Sequence, residues 1–111
     1  MSTRSKYLFQ THALVISQDL PALPPELRTT FLDEYRSILS ADPYGCSGFP
    51  NHKLTGRLKD YRTLDINWEG VSYRLVYRVY ESPTPKRVFV VSFDEHDAAY
   101  EKAKERTGRK R

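Results

Sequence analysis

The segment Tyr73-Arg74-Leu75-Val76-Tyr77-Arg78-Val79-Tyr80 constrains the fold more than any other part of the chain. Its strict alternation is the period of a β-strand, in which successive side chains point to opposite faces of a sheet. One face carries Tyr73, Leu75, Tyr77 and Val79 and suits a core. The other carries Arg74, Val76, Arg78 and Tyr80. Two arginines on one strand face fill a core badly. They make a rigid cationic platform for phosphate, because a guanidinium offers planar donors whose charge is permanent.

Around this strand the pattern is that of a small mixed α and β domain. His12 to Ser17 has the β-branched content of a first strand, whereas Tyr7 to Thr11 fits neither pattern. Asp19 to Leu23 reads as a short helical turn. Pro24-Pro25-Glu26 opens a helix, with proline in its first turn and an acid beside it. Leu27, Phe31, Leu32, Tyr35, Ile38 and Leu39 give that helix an apolar stripe to about Ser40, and Asp42-Pro43 ends it. Tyr44 to Lys53 is a loop by composition. Tyr61 to Trp68 is a strand, Glu69-Gly70 a turn, and Arg87 to Phe93 an almost continuous apolar run typical of a central strand. Asp94 is placed to cap a last helix, and Gly108 to end it. Short connections between the last three strands predict antiparallel hairpins. The expected class is α+β, a small antiparallel sheet with helices on one face and a polar, open opposite face.

A chain of 111 residues supports one domain with one modest core, here expected over 1–111 with flexible tails at 1–6 and 108–111. No apolar run reaches the length of a membrane span, and the N-terminus, Met1 to Lys6, is short and polar without the apolar region of a secretory signal. The single cysteine, Cys46, forms no internal disulfide. These features point to the cytoplasm and away from membranes. The net charge of +4 has a location. Lys102, Lys104, Arg106, Arg109, Lys110 and Arg111 face only Glu101 and Glu105 in the same stretch, which accounts for the whole excess. A cationic end of this kind predicts a polyanionic partner, nucleic acid or an acidic protein segment. Cysteine and histidine are too scattered for a zinc site, and neither a glycine-rich phosphate loop nor a paired-carboxylate motif is present, so no metal or cofactor is expected.

Leu54-Thr55-Gly56, Tyr61-Arg62, Tyr73-Arg74-Leu75-Val76-Tyr77 and Asp94-Glu95-His96-Asp97-Ala98-Ala99-Tyr100 resemble the RelE/ParE toxin superfamily from about Leu14 to Arg106. The resemblance implies one of two activities. RelE-like members are metal-independent endoribonucleases that cut mRNA, usually on the ribosome. ParE-like members poison DNA gyrase and cleave nothing. It further implies a cognate antitoxin that wraps the domain. On the RelE-like reading, the family positions fall on Arg62, Arg74, His96 and Tyr100 as catalytic residues. Lys53, Arg57, Lys59, Arg78, Lys102 and Arg106 are then candidates for contacting RNA. The chain departs from the pattern at Leu64, where a second basic residue is usual. Its Trp68 to Val71 connection is longer, and Leu64, Ile66 and Trp68 share the Arg62 face.

The chemistry agrees with those residue types. Metal-free RNA cleavage needs help in removing a 2′ proton, a cation on the crowded phosphorane and an acid for the leaving 5′-oxygen. DNA lacks the 2′-OH and is spared. Arg74 suits the phosphate, with Arg78 beside it. His96, among Asp94, Glu95 and Asp97, suits proton transfer. Tyr100 shares a helix face with His96, where it can stack on a base or serve the core. His12, His52 and Cys46 have no evident chemical partner in the sequence.

Overall fold

A computed structural model describes residues 6–109. The elements are β1 (Leu8–Thr11), α1 (13–22), α2 (25–41), β2 (Asn51–Lys53), β3 (Arg62–Trp68), β4 (Val71–Tyr80), β5 (Arg87–Glu95) and α3 (His96–Arg106). Both N-terminal helices contain a wide π turn, at Val15–Asp19 and at Phe31–Tyr35. The five strands form one sheet in the order β1-β5-β4-β3-β2. β2 to β5 pair antiparallel, as the short connections predict, and β1 lies parallel to β5. The sheet is therefore mixed rather than wholly antiparallel. No hairpin dictates the direction of β1, because the chain reaches β5 only after crossing the rest of the fold.

The first strand is earlier than its β-branched content suggests. Leu8–Thr11 pairs with Arg87 to Val90, and the chain turns into α1 just after His12. His12 Nδ1 accepts the Leu14 N–H at 3.1 Å, and the His12 carbonyl accepts the Val15 N–H at 2.9 Å. Helix propensity is a small term, and burial of Val15 and Leu20 outweighs the preference of Val15 and Ile16 for a strand.

Two cores sit on the two sheet faces. The larger joins Val15, Leu20, Leu27, Phe31, Tyr35 and Leu39 of the helical hairpin to Leu64, Tyr73, Leu75, Tyr77, Val90 and Phe93 of the sheet. The opposite face, expected to stay open, is half covered by α3. Ala99 and Ala103 pack there against Val76, Val91, Leu58 and Tyr61, and their small side chains let the helix approach closely. Glu69-Gly70 makes the two-residue β3–β4 turn, with φ of 49° and 82°, as a type I′ hairpin requires. Gly108, with φ of 71°, ends α3 in a Schellman motif closed by Gly108 N–H to the Glu105 carbonyl and Arg109 N–H to the Lys104 carbonyl. Arg109, read from the sequence as tail, bonds Asp60 and the Arg57 carbonyl, whereas residues 1–5 and 110–111 of the expected tails lie outside the described residues. No helix among the described residues is long and apolar enough to cross a membrane.

Candidate active site

Arg74 sits in mid-β4, opposite Asp65 on β3 and Asp94 on β5. Its guanidinium is mostly enclosed and already held. Nη1 donates to Ser72 Oγ at 2.8 Å and to the Tyr73 carbonyl at 3.0 Å. Nε faces Asp65 Oδ1 at 3.3 Å, close enough for an ion pair but not aligned for a hydrogen bond. Nη2 makes no hydrogen bond among the described residues.

His96 opens α3 on the same sheet face. Its side chain is about half exposed, and Nδ1 lies 2.7 Å from Asp97 Oδ1. The Tyr100 ring meets the imidazole edge-on, with centroids 4.9 Å apart. A cavity of about 720 Å³ runs from Gly70, Val71 and Ser72 to Glu95, His96 and Asp97. Ser72 thus links the Arg74 guanidinium to the hollow that His96 lines. Asp94 does not cap the helix; it bonds Lys102 and the Glu95 N–H instead.

Tyr100 also lines a neighbouring cavity of about 530 Å³, formed with His52, the Thr55–Leu58 loop and Lys104. His52 was silent in the sequence because β2 is only three residues long and reads as loop. In the fold, its Nδ1 meets Asp65 Oδ2 at 3.2 Å. Asp65 therefore bridges His52 and Arg74. The available signal was the alternation of Thr63, Asp65 and Asn67 against Leu64 and Ile66, which marks Asp65 as belonging to the polar face of β3.

Other expected site residues lie elsewhere. Arg62 pairs with Tyr77, so it is on the hairpin face, not beside Arg74. No bulge interrupts β3 and β4 to return it. Its Nη2 donates to Asn51 Oδ1 at 2.8 Å, and the guanidinium covers the Tyr44 ring. Leu64 is fully buried in the main core, which explains why a cation is absent there. Arg57 lines the Tyr100 cavity. Lys53, Lys59 and Arg78 gather with Arg62 beyond the end of β3.

Lys102 and Arg106, expected to contact RNA, are engaged in ion pairs within the fold. Arg106 is almost wholly buried and grips Asp19 with both Nη atoms at 2.7 and 2.8 Å. Lys102 bonds Asp19 at 3.2 Å and Asp94 at 2.6 Å. Burial pushes the Asp19 carboxyl up, but Arg106, the Phe93 N–H and Lys102 outweigh it and hold the group below its ordinary value. The ammonium of Lys102 is likewise held up by Asp94 and Asp19 against desolvation. The cationic C-terminal stretch is therefore neutralised inside the molecule as far as it is described: Lys104 pairs with Glu101, and Arg109 with Asp60. Among the described residues, no group of three or more His, Cys, Asp or Glu side chains could hold a metal ion.

The structure matches that of the E. coli toxin RelE, a doubly substituted form in the free state, with a TM-score of 0.62 over 91% of this chain and 97% of that one. The chain has a RelE-like fold. Sequence identity in the match is 23%. Neither a protein-family model nor a curated protein matches the sequence.

Proposed function

We propose that this RelE-like chain is a toxin-type endoribonuclease that cuts mRNA without a metal, by attack of the substrate's 2′-OH on the adjacent phosphate. The carrying observation is the half-exposed His96 imidazole, oriented through Nδ1 by Asp97, on the sheet face that also holds Arg74. A carboxylate on one ring nitrogen fixes the orientation of an imidazole and leaves the other nitrogen to exchange a proton. His52, held by Asp65 across the Tyr100 cavity, is a second imidazole of the same kind.

Two such groups divide the reaction. One accepts the 2′ proton as the O2′–P bond forms, and the other donates a proton to the 5′-oxygen as the P–O5′ bond breaks. The products are a 2′,3′-cyclic phosphate and a 5′-hydroxyl. Arg74, tied through Nη1 to Ser72 on the wall of the His96 cavity, supplies the charge that stabilises the phosphorane. Tyr100, edge-on to His96, offers its face to a base. The partners that go with this reading are mRNA, presented on the ribosome, and an antitoxin protein that restrains the enzyme in the cytoplasm.

The test is cleavage of cellular RNA, with and without EDTA, followed by analysis of the new ends. His96→Ala is expected to lower cleavage by ~10²-fold or more. Its fold should be intact, because exposed substitutions change stability by only about 0.5 kcal/mol. Unchanged cutting by His96→Ala and Arg74→Ala removes the assigned roles. Arrest of growth with intact RNA and inhibited gyrase selects the ParE-like activity instead.

A further inference from the structure

The charge of the molecule does not sit where the sequence places it. Asp19, Asp94 and Asp60 are consumed by Lys102, Arg106 and Arg109. Cations that those acids could have balanced are left over, and four of them meet in one place. β3 begins opposite Tyr77, so Arg78, Val79 and Tyr80 of β4 run on past its end. Beside that free strand edge is a cavity of about 270 Å³, lined by Lys53, Lys59, Arg62, Arg78, Tyr44 and Asp60. None of the four cations makes an ion pair among the described residues, and the one acid is taken by Arg109 at 2.9 Å.

We propose that this cavity is a second phosphate site, which holds an RNA backbone phosphate remote from the scissile bond; it rests on the nuclease reading above. Asp60, bonded by Arg109 and held low also by the nearby Arg78 and Lys59, is one carboxylate against four cations, so the hollow stays net positive and attracts a further anion. The guanidiniums are set in advance: Arg78 is stacked on Tyr61 and Tyr80, with 5.7 and 4.7 Å to the ring centroids, and Arg62 on Tyr44 at 5.4 Å. Arg62 Nε is buried with no acceptor among the described residues, and its Nη2 donates to Asn51 Oδ1 at 2.8 Å, which fixes the guanidinium at the cavity. Cations interleaved with tyrosine faces are the surface that single-stranded RNA uses, phosphates on the charges and bases on the rings. The exposed ring of Tyr44 is available for such stacking. Arg78 is four residues beyond Arg74, or ~13 Å along the strand at ~3.3 Å per residue. That distance exceeds a single nucleotide step, so the site reads a neighbouring part of the strand. Arg62 then contributes to substrate holding on this cavity and not to bond cleavage.

The experiment measures binding of a fully 2′-O-methylated RNA dodecamer, which cannot be cut, by fluorescence anisotropy over a salt series. The double variant Lys53→Gln/Lys59→Gln changes two exposed side chains and is confirmed folded by circular dichroism. It is expected to flatten the slope of log K against log salt by roughly 1.4, at ~0.7 per lost single-strand phosphate contact. Affinity is expected to fall about tenfold at low salt. Dodecamers with and without a 5′-phosphate should lose equally, because the ligand is an internal diester; a loss confined to the phosphorylated strand overturns that assignment. Parent-like slope and affinity in the double variant overturn the site altogether, as does binding of a polyglutamate peptide through Lys53 and Lys59 with no such effect on RNA. If the parent cuts no RNA yet the double variant still loses slope, the phosphate site stands and the nuclease reading falls.

Discussion

Replacing Asp19 by asparagine tests how the two ends of the chain are joined. β1 covers β5 only as far as Val90, which leaves the Val91 carbonyl and Phe93 N–H on a bare strand edge. Asp19 Oδ2 accepts the Phe93 N–H at 2.9 Å, and Arg106 Nη1 donates to the Val91 carbonyl at 3.0 Å. The Asp19–Arg106 pair thus seals the edge and ties α1 to α3. Removing one partner of a buried ion pair costs about 3–5 kcal/mol, because the other charge stays desolvated and alone. With a urea slope near 2 kcal/mol per molar, from the usual range of ~1–3, the midpoint should fall by about 2 M. The pH dependence has a fixed sign. The folded carboxyl is held below its ordinary 3.8, so its stabilisation is complete above that value and is lost as pH falls through the folded value. The parent should lose stability below about pH 4, and Asp19→Asn should show a shallower acid limb, because Asp60 and Glu81 are also held low in the fold. The double variant Asp19→Leu/Arg106→Met should recover only part of the loss: Lys102 keeps Asp94, but the Phe93 N–H and the Val91 carbonyl lose their side-chain partners. A midpoint shift under about 0.5 M, or an acid limb unchanged in Asp19→Asn, refutes the argument. Because α3 carries His96 and Tyr100, the proposed RNA cleavage should fall with stability and return in part in the double variant.

Two further outcomes follow from tyrosines on the hairpin side. Tyr77 is fully buried, and its hydroxyl donates to the Pro43 carbonyl at 2.6 Å and lies 3.4 Å from Cys46 Sγ. Tyr77→Phe leaves that carbonyl only the weak Cys46 thiol donor at 3.7 Å and should cost about 1–3 kcal/mol in urea unfolding; a loss under about 0.3 kcal/mol means the bond contributes nothing net. Glu81 Oε2 accepts from both Tyr7 and Tyr44, whose phenols are pushed up to about 12 by burial and then by this carboxylate. Glu81→Ala should move both phenols back toward 10 in a ¹³C-tyrosine NMR titration, and unmoved resonances would show that burial alone sets them.

How much of this was legible depended on whether one element or two decided the outcome. The alternation in β4 placed Tyr73, Leu75 and Tyr77 in the core and Arg74 outside it, because a strand's faces follow from its own sequence. The helical stripe of α2 and the Glu69-Gly70 turn were local in the same sense. Val15 and Ile16 read as strand because their helical state rests on contacts across the chain, above all those of Asp19 with α3. Lys102 and Arg106 read as solvent-facing charges for the same reason: their counter-ion is more than 80 positions away in sequence. His52 had no visible partner until β2 paired with β3 and brought Asp65 beside it.

A single extra residue in β5 aligns the candidate site. Tyr77 pairs with Val90 and Val76 with Ser92, so Val91 is unmatched and bulges from the ladder. Continued without the bulge, the register would set Phe93 across from Arg74 and Ser92 across from Leu75. Phe93 would then leave the aromatic cluster it makes with Phe31, Tyr35 and Tyr73, and Ser92 would lie in an apolar core. With the bulge, Phe93 opposes Leu75 in the core, and Asp94 opposes Arg74 on the other face. Ser92 turns to the α3 side, where its hydroxyl donates to the Ala99 carbonyl at 2.7 Å and fixes the helix. The chain then leaves β5 so that His96 starts α3 next to Ser72, the residue that holds Arg74. Bulges commonly re-aim side chains beside functional sites. Here the same irregularity completes the main core and brings imidazole and guanidinium to one face, so packing and site geometry cannot be changed independently.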